Sequence, residues 1–141
     1  VQLNKIGEAL GKIDGVTAMT DITGFGLLGH LIEMAEGSNC TAEINYAILP
    51  VADGVREYLA QRIVPDATYR NWNSYSTQTA FEKGVNVMEA FNLLPDPQTN
   101  GGLLIAVDTV KNILKENGLV NFAEPVGVFT ERVEKTVFVK Q

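Results

Sequence analysis

The sequence predicts an α+β domain, a layered α/β sandwich with a mixed, largely antiparallel sheet. Three observations support this prediction. Segments with helical apolar spacing alternate with short β-branched runs, the last two predicted strands follow each other directly, and no βαβ unit repeats cleanly. A length of 141 residues suits one domain, so residues 1–141 are assigned to a single unit with its own core.

The chain opens with a helix and a short strand. Asp14-Gly15 is a turn signal, and the run Val16–Met19 after it predicts the strand. Before that turn, apolar residues recur at helical spacing and predict an amphipathic helix over about the first dozen residues: Leu3, Ile6, Leu10 and Ile13.

A glycine-rich turn, Thr20–His30, joins that strand to the next helix and predicts a phosphate site. Backbone N–H groups at the start of a helix lack intrahelical partners, and the positive end of the helix dipole favours an anion. Gly24 and Gly26 have no Cβ, so another group can approach the main chain closely. His30 lies one turn into the helix, either as a structural residue or as a contact to phosphate or a neighbouring domain.

Asp21 changes the chemistry expected at this turn. A carboxylate repels a phosphate unless a divalent cation lies between them and takes oxygens from both, as Mg²⁺ commonly does with nucleotides. The turn therefore predicts a metal-bridged phosphate site with Asp21 as the metal ligand. The alternative is that Asp21 or Thr23 only caps the helix and that the glycines only permit tight packing.

A dinucleotide site is a further alternative for the same turn. Gly24, Gly26 and Gly29 satisfy G-x-G-x-x-G, and Glu43 lies near the distance expected of a ribose-binding carboxylate. The polar residues before Gly24 speak against it, because the first strand of a doubly wound sheet is nearly all apolar.

The middle of the chain predicts a strand, a helix and a long loop. Cys40–Tyr46 alternates like a strand, and a helix with apolar core spacing extends from Pro50 to Ile63. The periodicity is lost over 64–78. We interpret this segment as a functional loop whose donor-rich, aromatic surface, formed by Arg70–Trp72 and Tyr75, contacts a partner domain or substrate. The alternative is a loop that packs on its own Trp and Tyr side chains.

The last part predicts two helices and three strands around the segment Pro95–Gly102, which is either a second polar turn that faces the first or a tight loop with no ligand. In chain order these elements are a short helix at Val87–Leu94, a buried strand at Leu103–Val107, a helix from Asp108 to Gly118, and a closing hairpin of Phe122–Phe129 and Val133–Val139.

Composition limits the class of partner. The net charge is −6, and the 11 Lys and Arg residues are spread along the chain, which argues against a nucleic-acid surface. There is no apolar run of membrane-spanning length, and the single Cys40 cannot form an internal disulfide. We therefore expect a soluble cytoplasmic protein. The start at Val1, without an initiator Met, suggests a piece of a longer chain.

Three segments together resemble the selenophosphate synthetase family, whose members are also called selenide, water dikinases. The likeness extends over nearly the whole chain, and the motifs come in family order: Thr20–His30, Thr68-Tyr69-Arg70-Asn71-Trp72, and Asp96-Pro97-Gln98-Thr99-Asn100-Gly101-Gly102-Leu103-Leu104. The chain resembles the C-terminal domain, of the type shared with aminoimidazole ribonucleotide synthetase. Asn100 is a departure, because the family usually has Ser there.

The resemblance implies a reaction of ATP, selenide and water that gives selenophosphate, AMP and phosphate and requires Mg²⁺. It implies that ATP is bound mainly by an N-terminal domain absent from this chain, in a homodimer, and that the catalytic residues lie there. By position the metal-binding aspartate is Asp21, and the residues expected to shape the nucleotide phosphate site are Thr23, Gly24, Gly26, Thr99, Asn100, Gly101 and Gly102. The isolated domain is expected to be inactive. The alternative function is a non-catalytic scaffold that docks its own N-terminal domain.

Overall fold

The computed structural model describes residues 3–108, 116, 118 and 125–141. Two 3₁₀ turns, Tyr46–Ile48 and Ser76–Gln78, accompany the regular elements. In chain order the helices and strands are α1 (Ile6–Leu10), β1 (Val16–Asp21), α2 (Gly26–Gly37), β2 (Cys40–Asn45), α3 (Val55–Ala60), α4 (Asp66–Tyr75), β3 (Thr79–Phe81), α5 (Val87–Leu93), β4 (Leu103–Val107), β5 (Gly127–Glu131) and β6 (Val137–Lys140).

The strands form two sheets. β1 pairs antiparallel with β4, and the second sheet has the order β3-β6-β2-β5. In that sheet β2 pairs antiparallel with β5 and parallel with β6, and β3 pairs parallel with β6. The α+β class with a mixed sheet is confirmed. Among the described residues antiparallel and parallel ladders are equal in number, so the antiparallel share is smaller than predicted.

The predicted closing hairpin is wrong. β5 and β6 follow each other in sequence, but β2 lies between them, with Ala42 opposite Phe129 on one side and Val137 on the other. The physical reason is burial. Val137 and Val139 of β6 are fully buried. As an interior strand, β6 has a neighbouring strand on each side, whereas a strand of a two-stranded hairpin at the surface has only one.

The core lies between α2 and the four-stranded sheet. Leu28, Ile32 and Ala35 form the buried stripe of α2, at the i, i+4, i+7 spacing of one helix face. They belong to one buried cluster with Ile44 of β2 and Val139 of β6. This packing holds the start of α2, and with it the glycine-rich turn, against the rest of the domain.

The segment predicted as a loop over 64–78 is mostly helical, and that prediction is wrong. Asp66–Tyr75 is a regular helix that follows Pro65, and its inward face buries Thr68 and Asn71. Apolar periodicity did not reveal this helix, because its two most buried residues, Thr68 and Asn71, are polar and form hydrogen bonds. The aromatic residues Trp72 and Tyr75 pack on the same side of the helix.

The other elements agree with prediction in type and differ in their ends. β4 has the predicted bounds, while α1 and α3 are shorter than the helices predicted over the first dozen residues and from Pro50 to Ile63. The three-residue strand β3 was not predicted. The helix predicted after Asp108, and the first part of the strand predicted from Phe122, lie outside the described residues.

A hydrogen-bonded cluster connects the 3₁₀ turn after β2 to α3 and α5. The Tyr46 hydroxyl donates to Glu89 Oε1 at 2.7 Å, and Arg56 Nε donates to the same oxygen at 2.9 Å. The hydrogen bond from Tyr46 is the main cause that lowers the pKa of Glu89 below its ordinary value, and burial of the carboxylate opposes it. Burial, followed by the hydrogen bond to Glu89, raises the pKa of Tyr46.

This cluster makes stability sensitive to acid. The pKa of Glu89 is lower in the folded state than in the unfolded state, so the ionised carboxylate stabilises the fold at pH values above its unfolded pKa. This stabilisation is lost as the pH falls through the pKa of the folded state. We expect the unfolding free energy of Glu89→Gln to change less than that of the wild type between about pH 5 and pH 3. Urea unfolding at several pH values measures this, with the exposed Glu57→Gln as the control. Parallel curves for wild type and Glu89→Gln would refute the role.

Within the described ranges, no helix has both the length and the apolar character needed to cross a membrane.

Candidate functional site

The two polar turns predicted to face each other are joined by backbone hydrogen bonds. The β1–β4 ladder ends with Asp21 opposite Leu103, and the pairing continues one residue further. Ile22 N–H donates to the Gly102 carbonyl at 2.9 Å, and Gly101 N–H donates to the Ile22 carbonyl at 3.1 Å. We call the segments 21–26 and 99–102 the paired turns. Their proximity follows from the register of β1 and β4.

Asp21 lies at the exposed edge of the paired turns. Its Oδ1 accepts a hydrogen bond of 2.6 Å from the side-chain amide of Asn4, and the same Asn4 nitrogen donates to the Gly101 carbonyl at 3.1 Å. Asn4 therefore connects the carboxylate to the second turn. Sequence reasoning missed Asn4, because it precedes the first helix and only the tertiary structure brings it to this place.

Neither Asp21 nor Thr23 caps α2. The residue at the N-cap position is Phe25, and no side-chain capping bond is present there. The alternative in which Asp21 serves as a helix cap is therefore wrong. Its carboxylate is oriented by Asn4 toward the exposed edge and is accessible to a ligand.

The four glycines of the predicted site fall into two groups. Gly26 has φ +68°, and a Cβ there would meet the Leu94 and Asp96 carbonyl oxygens at 2.8 Å. Gly101 is packed against Ile22. A Cβ at Gly24 or Gly102 would have nothing within 4 Å. Gly26 and Gly101 are thus needed for close packing of the chain, whereas Gly24 and Gly102 border open space.

The start of α2 offers fewer N–H donors to an anion than its sequence suggests. Gly26 N–H donates to the Thr23 carbonyl at 3.0 Å, and Leu28 N–H donates to the Leu94 carbonyl at 2.9 Å. The segment Leu94–Asp96 covers this end of the helix. These two N–H groups lack intrahelical partners, as predicted, but carbonyl groups from outside the helix already accept from them, so they are not available to a phosphate.

Asn71 of α4 fixes the covering segment in place. Its side-chain amide donates to the Gly24 carbonyl at 2.8 Å and to the Pro95 carbonyl at 2.9 Å. The residue is buried, so it does not belong to the donor-rich contact surface predicted for Arg70–Trp72. The Trp72 ring packs against Phe81 and Phe91 inside the domain.

We expect Asn71→Ala to lower the free energy of unfolding by about 1–3 kcal/mol, because two carbonyl groups lose a buried donor. Asn73→Ala, two residues further along the same helix and exposed, should change it by less than about 0.5 kcal/mol. Urea unfolding of the two variants measures the difference. Equal stability would show that Asn71 does not hold the segment.

Asp96 of the third motif supports the fold. Its carboxylate accepts a hydrogen bond from the Gln98 side chain at 2.7 Å and one from Thr68 at 3.4 Å. Burial raises its pKa, and those two hydrogen bonds act in the opposite direction. Asp96 thus connects α4 to the segment that leads into the second turn.

Thr23, Thr99 and Asn100 supply polar side chains on the exposed side of the paired turns. The Thr23 hydroxyl lies 3.1 Å from His30 Nε2, and the Thr23 carbonyl accepts from Gln98 N–H at 3.0 Å. The structure thus brings together Asp21, both turns and the open glycines predicted for the site, and adds Asn4.

A cation at this place would need ligands from outside the domain. Among the residues that the structure describes, no group of three or more His, Cys, Asp or Glu side chains could hold a metal ion. One exposed carboxylate is nevertheless the donor that Mg²⁺ commonly takes from a protein when nucleotide phosphates supply the other oxygens. Asp21 therefore fits a shared cation and not a closed metal site.

The geometry does not support the dinucleotide alternative. β1 and β2, which flank α2, belong to different sheets, so the parallel βαβ unit required for such a site is not formed. Gly29 packs against Phe25 and Tyr75, and Glu43 forms an ion pair with Lys140 at 2.5 Å.

Comparison with known proteins gives one matching family model and several close relatives. The model of the AIR synthase related protein, C-terminal domain, matches residues 2–140. A protein of Haemophilus influenzae named selenide, water dikinase is 48% identical over 123 residues, which are 84% of this chain and 34% of that protein. Proteins of the same name from Pseudomonas putida and Bordetella bronchiseptica are 51% identical over 105 residues and 52% identical over 106 residues. These matches cover 74% and 75% of this chain, and 29% and 30% of the relatives. The chain thus spans about a third of the length of the curated relatives it matches.

Proposed function

The chain belongs to the AIR synthase related proteins, as their C-terminal domain, and from the names of its relatives we propose that it is the C-terminal domain of an ATP-dependent selenophosphate synthetase. The proposed reaction converts ATP, selenide and water to selenophosphate, AMP and phosphate. Relatives that bear the name selenide, water dikinase support the kinase class. These relatives have longer chains, which supports the proposal that the present chain is a fragment that acts together with a further domain.

One observation carries the proposed role of the site: Asp21 is exposed at the edge where the two turns meet, and Asn4 orients its carboxylate. A net charge of −6 disfavours direct contact between this domain and a polyphosphate. A cation shared between Asp21 and the phosphates removes that repulsion. We therefore assign Asp21 to Mg²⁺ binding in the presence of ATP.

The remaining residues of the paired turns have supporting roles in this proposal. Gly24 and Gly102 leave room for the phosphates, and the side chains of Thr23, Thr99 and Asn100 form the polar border of the site. Gly26 and Gly101 hold the two turns at the spacing that the site requires. Bound Mg²⁺ would supply charge neutralisation of the phosphate oxygens.

The partner in this proposal is the protein's own N-terminal domain, in a cytoplasmic homodimer that also receives a selenide donor. That domain binds most of the ATP and provides the catalytic residues. Phe25, 47% exposed and adjacent to the open Gly24, offers an apolar contact for it. A pure scaffold is the second candidate, and the exposed Phe25 is the observation that favours it.

The experiment is a phosphorus NMR assay of the full-length protein with ATP, selenide and Mg²⁺, with this domain alone as the control. We expect selenophosphate, AMP and phosphate from the full-length protein and no ATP consumption by the domain. A full-length protein that consumes ATP without forming selenophosphate would refute the activity. ATP hydrolysis by the domain alone would refute the division of roles.

A further inference from the structure

His30 is held between two polar side chains on the inner side of the paired turns. The residue is 7% exposed, its Nε2 lies 3.1 Å from Thr23 Oγ1, and its Nδ1 lies 3.2 Å from Glu33 Oε2. The aromatic ring of Phe25 packs at 5.7 Å, which restricts the imidazole further. Both ring nitrogens therefore have a defined partner.

Glu33 determines which nitrogen carries the proton. An ionised carboxylate has no hydrogen to donate, so the ring nitrogen that faces it must be the donor. In a neutral imidazole the other nitrogen is then an acceptor. This places the proton of His30 on Nδ1 and leaves Nε2 to accept from the Thr23 hydroxyl.

This tautomer determines how the Thr23 hydroxyl is oriented. Thr23 is an exposed residue, but its hydroxyl contacts the buried imidazole of His30. A hydroxyl has one hydrogen and two lone pairs. If the hydrogen is directed inward to His30, the oxygen Oγ1 can offer only lone pairs to any other group. Such an oxygen accepts from a donor, and it has no hydrogen left for a phosphate oxygen.

We propose that His30 and Glu33 are positioning residues which direct the Thr23 hydroxyl inward, so that Thr23 Oγ1 acts as an acceptor beside Asp21. Its partner is a water molecule bound to the cation, which donates a hydrogen bond to it, and not a phosphate oxygen. The assignment of the cation rests on the proposed function. The arrangement of His30, Glu33 and Thr23 does not.

The first test reads the tautomer directly. The full-length protein is labelled with ¹⁵N-histidine, and the His30 signals are identified by their loss in His30→Asn. At pH 8, where a free imidazole carries one proton, we expect a protonated Nδ1 and an unprotonated Nε2. Glu33→Gln keeps an acceptor oxygen and should keep this tautomer, whereas Glu33→Lys offers only donors and should move the proton to Nε2.

Glu36→Lys is the matched control, because it makes the same charge change on the same helix at an exposed position. It should leave the His30 signals unchanged. An Nε2-protonated or doubly protonated ring in the wild type would overturn the proposal, and so would a tautomer that does not respond to Glu33→Lys.

The second test reads the consequence for the cation, with Mn²⁺ as the probe and ATP bound to the full-length protein. We expect Thr23→Val to weaken Mn²⁺ binding about 10-fold, the lower end of the effect of losing an outer-shell partner, and Thr23→Ser to retain it. Glu33→Lys should weaken binding more than Glu36→Lys does. Equal affinities for Thr23→Val and Thr23→Ser would overturn the acceptor role. If no selenophosphate is formed while the tautomer is as expected, the proposed function fails and the positioning of Thr23 stands.

Discussion

Asp21→Asn in the full-length protein is expected to lower the rate of selenophosphate formation by about 100-fold or more. Loss of an outer-shell partner of a metal ligand commonly costs 10–100-fold in affinity or activity, and loss of the negative charge on the ligand itself should cost at least the upper value. Asparagine keeps the size of the side chain and can still pair with Asn4, so the change removes charge with little change in shape. The initial rate at limiting Mg²⁺ is the measurement.

Asp53→Asn is the control for this prediction, because Asp53 is an exposed aspartate in the loop before α3. It should leave the rate within about twofold of the wild type, as expected of a surface change. A normal rate for Asp21→Asn at limiting Mg²⁺ would show that its carboxylate does not act on the cation.

Gly26→Ala is expected to have the largest effect on stability, a loss of about 2–5 kcal/mol. A left-handed conformation costs an L-residue about 1–2 kcal/mol, and overpacking costs about 1–3 kcal/mol. Both apply here, because Gly26 has φ +68° and lies against the backbone of Leu94–Asp96. A loss of this size is a large part of the total stability of a small domain.

Gly24→Ala is the matched variant, two residues away in the same turn. A Cβ at Gly24 meets nothing within 4 Å, so its unfolding free energy should differ from the wild type by less than about 0.5 kcal/mol. Urea unfolding followed by Trp72 fluorescence measures both variants. Equal losses for the two would show that the turn is not held by close contact at Gly26.

The sequence was sufficient for the elements whose apolar pattern is regular. β4 was predicted with its full bounds, because it is a continuous apolar run, and the helix α2 was predicted to follow the glycine-rich turn. The approach of the two turns was also predicted, since each adjoins a strand. The register that brings Asp21 opposite Leu103 required the structure.

The rest depends on polar contacts between distant segments, which no local pattern records. α4 is held by hydrogen bonds of Thr68 and Asn71, and Asn4 reaches Asp21 and Gly101 from before the first helix. The order of β5 and β6 depends on which strand buries Val137 and Val139, and adjacency in sequence predicted the wrong neighbour. The sequence also could not show which glycines are closely packed and which border open space, because this depends on the distant segments that lie against them.

A calorimetric titration of Mg²⁺ into the ATP-bound full-length protein tests the central claim most directly, with wild type and Asp21→Asn compared at the same ATP occupancy. We expect the wild type to bind Mg²⁺ at least about 100-fold more tightly than the variant, because a neutral amide replaces the charged carboxylate that faces the cation. Equal affinity would contradict the claim that Asp21 shares a cation with the nucleotide.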